Sequence, residues 1–418
     1  MTITNLKLKT YNFLRWTEKW TQTDMVYLAK DGSWLAVGQA ITIITAILTA
    51  LAFANLLPVE IYGTYKYIFS IVSLLSIPTL SGVSTAIIQA VARGSDGTLY
   101  AATKIKMRWG LLSAIASLGL AGYYYYGNNP YLALSFLVAA VFLPLMDPLN
   151  VYNAYLNGKK EFKLNIKFNI INQAIILAVM VGTIWLTNNI WLIILVYFSA
   201  NTTTNALFYY LAVKRVKPNS EVNQEALSYG KHLTVMNIIS LIAGQLDKIL
   251  IWHFLGAAQL AIYALAMAPI DQVNSGILRN ASTLAMPKLS NNDGDTLKKT
   301  LPGKIFKLTG LTVVAALAYI FVAPFLYEIA FPKYIASVIY SRFYVLTLVL
   351  LPFSLFNIAL TAQEQKKKLY FLSLTIGVVK ITLLLIFLPL YGIAGAIAAI
   401  IGSTLYSNLT TYYLFKKI

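Results

Sequence analysis

LLPVEIYGTY at residues 56–65 and FLGAAQLAIY at residues 254–263 are one turn written twice, at an offset of 198. Leu57 aligns with Leu255 and Tyr65 with Tyr263, and further back Gly32 aligns with Gly230. Each copy joins two long apolar stretches. Downstream, SDGTL at 95–99 answers NDGDTL at 292–297 with one insertion, and in both copies a basic loop and another apolar stretch follow. Copies repeated in the same order imply two equivalent halves in the same orientation.

Working outward from the twin turns, the composition says what surrounds them. The chain is 58% hydrophobic and 11% charged, with a mean hydropathy of +0.67. A soluble domain of 418 residues does not hide that much apolar surface. A membrane span needs about 20 apolar residues. Twelve segments qualify: 33–56, 64–91, 109–126, 131–152, 168–186, 191–213, 232–253, 257–278, 308–327, 340–362, 369–388 and 392–414. The expected fold is therefore an all-α membrane protein, twelve transmembrane helices in two six-helix lobes related by a parallel pseudo-two-fold repeat. The division expected is a cytoplasmic amphipathic segment at 1–32, a first lobe at 33–213, a cytoplasmic linker at 214–231 and a second lobe with a short tail at 232–418. Within the first segment, residues 10–27 interleave Tyr11, Phe13, Trp16 and Trp20 with Arg15, Glu18 and Lys19, the pattern of an interfacial helix. The first apolar run leads directly into further spans, which distinguishes it from a cleaved signal peptide. The longest loops are expected at about 279–307 and 214–231.

Charge orients these spans. The basic residues fall in every second gap: Lys7 to Lys30, Arg93 to Arg108, Lys159 to Lys167, Lys214 to Lys231, Arg279 to Lys307, Lys366 to Lys368, and Lys416 with Lys417. The intervening gaps GNNP at 127–130 and TNN at 187–189 carry none. This positive-inside pattern predicts both termini in the cytoplasm. It also accounts for the net charge of +18 without nucleic acid, since no basic stripe or binding motif accompanies it. The absence of cysteine excludes disulfides and thiolate chemistry. His232 and His253, near opposite ends of one span, do not make a zinc site.

The stretches ANLLPVEIYGTYKYIFS (54–70), SGVSTAIIQAVARGSDGTL (81–99) and GQLDKILIWHFLGAAQLAIYALA (244–266) resemble the polysaccharide-exporting branch of the multidrug/oligosaccharidyl-lipid/polysaccharide exporter superfamily. Within it the chain is similar to the Wzx-type flippases of O-antigen and capsule repeat units. The resemblance covers the whole chain, though its motifs are diffuse, and lipid II flippases of the superfamily usually have two more spans. It implies transfer of an undecaprenyl-pyrophosphate-linked oligosaccharide from the inner to the outer leaflet, in the bacterial inner membrane, by lobes that rock around a central cavity. It implies no cofactor and no catalytic residue. The expected partners are the lipid-linked oligosaccharide, membrane lipids, H+ or Na+ as coupling ion, and a polysaccharide polymerase.

Ionisable groups inside spans cost about 2.5–3.5 kcal/mol each on insertion scales, so the few present are informative. Lys380 sits near the middle of its span, on one face with Ser373 and Gly377. It suits binding of a phosphate as a point charge, or a structural pair with an aspartate. Asp247 and Lys248 are adjacent and point about 100° apart; Lys248 either faces the cavity or snorkels outward. Asp271 shares a face with Ser275 and Arg279 and suits a proton or Na+ site, or an ion pair. Asp147 lies between Pro144 and Pro148, where freed carbonyls favour a cation site or a hinge, or it sits in water at the cytoplasmic mouth. The cationic set for a pyrophosphate is Lys380, Lys248, Arg279, Lys66 and Arg342; the ion-coupling or gating set is Asp271, Asp247 and Asp147. A cation-coupled multidrug antiporter would use the carboxylates instead. A membrane-embedded polymerase or glycosyltransferase is disfavoured by outer gaps of only a few residues and by the lack of an acidic or histidine cluster at a span end.

Overall fold

The computed structural model describes residues 25–290, 294–363 and 365–417. The amphipathic helix expected at 10–27 falls almost wholly outside them. Every regular element among the described residues is helical, as the bilayer demands of a chain whose backbone must satisfy its own hydrogen bonds.

Twelve helical units follow one another. The first half holds α1 (Met25–Leu56), α2 in two pieces (Val59–Leu75 and Val83–Ala92), α3 (Thr98–Tyr126), α4 (Pro130–Leu149, continued by Tyr152–Gly158), α5 (Phe162–Leu186) and α6 (Ile190–Val216). The second holds α7 (Gln224–Leu255), α8 (Ala257–Ser290), α9 (Gly294–Ala330), α10 in short pieces from Ser337 to Ala362, and α11 and α12 as the two arms of Lys366–Lys416. Gly392, at φ 58° and ψ −137°, breaks that last run, a conformation glycine adopts without a Cβ penalty. Gly256, at φ 87°, is the entire link between α7 and α8.

Each break has a local cause. In α2, Pro78 lies in the 3-10 turn Ile77–Thr79 and Leu80 takes a left-handed φ of 63°, bending the two pieces by 44°. In α4, Pro144 and Pro148 each remove a backbone donor before the helix restarts at Tyr152.

Two of the expected long loops are mostly helix. The stretch 279–307 is the end of α8 and the start of α9, and of 214–231 only 217–223 lies outside helix. Likewise Lys104, Lys106 and Arg108 ride on α3 rather than in a gap. Lysine and arginine are good helix formers, and a helix that runs on past the hydrocarbon keeps its backbone bonded, so helices overshoot the apolar core. Among the described residues, by length and apolarity alone eight helices, with the bent pair of α2 as a ninth, read as spans. The run of α11 and α12 counts once in that number. α3 and α8 fall below that threshold, although both pack as full members of the bundle.

In the first lobe α3 packs on α4, α4 on α6, and α1 on α5; in the second α7 packs on the α11–α12 run and α8 on α10. The lobes meet chiefly through α2, which lies against both α7 and α8. At the end carrying the 56–65 turn, a Cβ on Gly63 would stand 1.8 Å from the Ala257 carbonyl oxygen, so the two twin turns touch backbone to backbone. Beside them Tyr67 stacks on Trp252 at 4.0 Å, Lys333 donates to the Asn55 carbonyl at 2.7 Å, and Tyr62 meets Tyr334 edge-on. At the lysine-rich end Gly82 donates to Thr234 Oγ1 at 3.0 Å, and a Cβ on Gly230 would lie 2.8 Å from Val83 Cα. There Asn219, between α6 and α7, accepts from the Asp96 amide at 3.0 Å and donates to the Gly94 carbonyl at 2.7 Å. The α2–α7 side of the seam is thus closed at both ends.

Candidate functional site

The seam brings together five of the eight candidate charges. Lys66, two turns into α2, is half-buried with its Nζ 5.1 Å from the centroid of the Tyr62 ring. It lines a cavity of about 520 Å³ walled by α1, α2, α8 and α9, with Tyr65 and Gln272. Asp271, next to Gln272 on α8, accepts a 2.6 Å hydrogen bond from the Tyr344 hydroxyl of α10. It lies within Coulombic range of Lys66, Lys248 and Lys380.

On α7, Asp247 and Lys248 divide as adjacent helical positions must. Asp247 is 2% exposed and accepts from the Tyr263 hydroxyl of α8 at 2.5 Å, while its second oxygen is buried without a partner. Lys248 is half-buried and donates to Gln245 at 3.1 Å. Lys380 on α11 is half-buried and forms neither an ion pair nor a hydrogen bond among the described residues. Close by, Ser240 and Ser373 bond α7 to α11 at 3.1 Å. Gly377 lets those helices approach, since a Cβ there would be 2.5 Å from the Ile239 side chain. Three lysines and two aspartates, both aspartates already hydrogen-bonded by tyrosines, thus form a cluster of net positive charge between the lobes.

Three candidates lie elsewhere. Arg342 is exposed on α10 and donates through Nε to the Ile320 carbonyl of α9 at 2.9 Å. The Arg279 side chain falls outside the described residues. Asp147 is neither in open water nor empty-handed: Lys106 Nζ stands 3.1 Å from its carboxylate, and the Thr79 hydroxyl donates to the same oxygen. Lys106, read from sequence as a cytoplasmic gap charge, is 1% exposed. The pair joins α3, the kink of α4 and the break of α2.

The sequence reading also passed over the amides of the first lobe. On α5, Asn165, Asn169, Asn172 and Gln173 recur at helical spacing on one face. Thr204 of α6 donates to Asn172 at 2.6 Å, Gln173 to Thr42 of α1 at 3.1 Å, and Asn205 to the Met146 carbonyl at 3.1 Å. Uncharged polar groups of this kind join helices in lipid. The signal was present in NIKFNIINQ at 165–173, hidden by attention to charge alone.

The geometry can be set beside known proteins. Residues 28–292, more than half of the chain, match the family described as "Polysaccharide biosynthesis protein". The chain belongs to that family. A search of curated proteins finds no sequence match. Among solved structures, the fold resembles that of the lipid II flippase MurJ in an inward closed conformation, with a TM-score of 0.71 at 14% identity, covering 91% of this chain and 87% of that one. It also resembles an inward-facing MATE-family multidrug resistance transporter of the MOP superfamily (TM-score 0.66, 13% identity, 91% and 94% covered). A third likeness is a MOP superfamily transporter from Pyrococcus furiosus, described as having a binding pocket of reverse polarity (TM-score 0.67, 13% identity, 93% and 94% covered). This member of the polysaccharide biosynthesis family therefore has the fold of membrane transporters, and its charged cluster lies at the junction of the two lobes.

Proposed function

We propose that the protein is a flippase for a lipid-linked oligosaccharide, carrying an undecaprenyl-pyrophosphate-linked repeat unit across the bacterial inner membrane with both termini in the cytoplasm. The observation that supports this best is the lysine cluster of Lys66, Lys248 and Lys380 at the seam, in which Lys380 forms no ion pair or hydrogen bond among the described residues and shares Asp271 with the other two lysines. An unpaired cation inside a bundle is costly unless something anionic visits it. A pyrophosphate headgroup is such a visitor, and a lysine meets it as a point charge. The lobes 33–213 and 232–418, joined through 214–231, would rock about this cluster. Asp271, shared between Tyr344 and three lysines, is the coupling position for H+ or Na+ in this scheme. A polysaccharide polymerase is the natural receiver of the flipped unit.

A cation-coupled drug antiporter of the same fold is the second reading. It needs free carboxylates facing the substrate, whereas one oxygen each of Asp247 and Asp271 accepts a tyrosine hydroxyl, the other oxygen of Asp247 is buried, and Asp147 accepts Lys106. The test is Lys380→Ala against Lys380→Arg, in cells that depend on the protein for surface glycan. The alanine variant is expected to abolish export, and the arginine variant to retain part of it, because charge persists while reach and shape change. Membrane expression is measured first. Normal export by a well-expressed Lys380→Ala would remove Lys380 from the pathway.

A further inference from the structure

Two of the gaps that carry no basic residue, GNNP and TNN, meet in space. We propose that they form, with the start of α2 and the end of α7, a saccharide-binding pocket at the end of the protein opposite its lysine-rich face. The proposal rests on the flippase reading for the source of the sugar, which would be the glycan of the translocated lipid after it reaches the outer side.

The pocket encloses about 420 Å³, within the usual range of small-molecule sites of about 300–1,000 Å³. Asn129 and Tyr131 reach it from the α3–α4 turn, Asn188 and Asn189 from the α5–α6 turn, Glu60 and Thr64 from α2, and Trp252 from α7. Each is held by its own local structure. Asn129 caps α4, its Oδ1 accepting from the Leu132 amide at 3.2 Å, while its amide nitrogen has no partner among the described residues. The Asn189 backbone amide donates to Thr187 Oγ1 at 3.1 Å, fixing the second turn. Trp252 is held by its stack on Tyr67 at 4.0 Å and 16°.

Two groups in the wall are unfinished. The Trp252 indole N–H and the Asn189 side-chain oxygen are buried and have no hydrogen-bond partner among the described residues. Both atoms lie beneath the accessible surface of the pocket wall, so the indole and the amide must turn toward a ligand that offers both functions before it completes them. A sugar hydroxyl is donor and acceptor at once. The remaining lining fits the same ligand: side-chain amides and the Glu60 carboxylate for further hydroxyls, and the Tyr131 and Trp252 rings for the apolar C–H faces of a pyranose. No lysine or arginine lines the pocket, and its single charge is a carboxylate, so a phosphate is disfavoured there. Headgroup and glycan would therefore be recognised in different places, the pyrophosphate by the seam lysines and the sugars by these amides. Because Trp252 belongs to the second lobe and most of the other lining residues to the first, the pocket is complete only while the twin turns touch.

The experiment is saturation-transfer NMR on the full-length protein in lipid nanodiscs. The probes are free neutral hexoses and N-acetylhexosamines, with inorganic pyrophosphate and tetraphenylphosphonium as the anionic and cationic comparisons. At least one sugar is expected to show saturable transfer. Trp252→Phe, which keeps a ring but lacks the N–H, and Asn188→Ala, on the exposed turn, should each weaken it about tenfold, or 1.4 kcal/mol. Lys380→Ala should leave it unchanged. The absence of transfer from every sugar, transfer that survives both variants, or a response to those variants by pyrophosphate or the lipophilic cation instead of a sugar would each overturn the pocket. The two readings fail separately. Normal export by Lys380→Ala with sugar transfer lost in Trp252→Phe would sink the lysine site and keep the pocket.

Discussion

Gly63→Ala isolates the contact between the twin turns. The added Cβ would stand 1.8 Å from the Ala257 oxygen, where real Cβ atoms do not approach within 3.0 Å, so the backbones must part by more than an ångström. Overpacking of this kind costs about 1–3 kcal/mol, and here it falls only on the state in which the turns touch. Alanine also favours helix over glycine by about 0.8–1.0 kcal/mol, but α2 is helical whether the turns meet or not, so that gain cancels. The ratio of parted to touching states should rise by roughly 5- to 150-fold. The chain has no cysteine, so Asn55→Cys and Lys333→Cys can be added as a pair across the same end, where Lys333 now donates to the Asn55 carbonyl at 2.7 Å. A short bis-maleimide should link that pair efficiently with Gly63 and poorly with alanine in its place. Equal linking in both backgrounds would refute the claim that this backbone contact holds the end shut.

Gly230→Ala should act on the opposite end, since its Cβ would meet Val83 Cα at 2.8 Å; cysteines at 81 and 233, beside the Gly82–Thr234 bond, are expected to link less while the 55–333 pair links normally. Lys106→Met strips Asp147 of its partner. Breaking a buried pair costs about 3–5 kcal/mol, and with Asp147 32% exposed the loss should fall at the low end, read as a lowered thermal unfolding midpoint. The double variant Lys106→Met with Asp147→Leu should recover most of that loss, and a double variant as unstable as the single one would contradict an electrostatic origin. For orientation, Asn128→Cys should react with an impermeant maleimide from outside and Lys299→Cys only from inside; labelling of both from one side would sink the twelve-span topology and with it the side assigned to every charge.

Much of the architecture was legible because it rests on one-dimensional signals. Apolar stretches marked the helices, although length and apolarity alone pass only eight or nine of those described, and the repeated turn marked two halves of like orientation. Pro144 and Pro148 marked the kink of α4, whereas the break at Pro78 in α2 and the glycine links at Gly256 and Gly392 emerged only in the structure. Loop lengths were misread because a lysine-rich stretch is equally compatible with loop and with helix extended into water, and hydropathy does not separate them. The same limit sent Lys106 to a cytoplasmic gap.

Which charges meet was beyond the sequence. Lys66, Lys248, Asp271 and Lys380 are scattered over more than three hundred residues, and only the packing of α2 against α7 and α8 gathers them at one seam. The same packing leaves Arg342 on the outside of α10 and gives Asp147 a lysine from α3. Helical periodicity fixes the face a residue occupies on its own helix, but not the rotation of that helix toward its neighbours. That rotation is set by close backbone contacts such as Gly63 with Ala257 and Gly82 with Gly230, whose partners lie far apart along the chain. The sequence by itself therefore determined that the protein spans the membrane as two repeated halves. The tertiary structure alone decided which of its polar groups face one another.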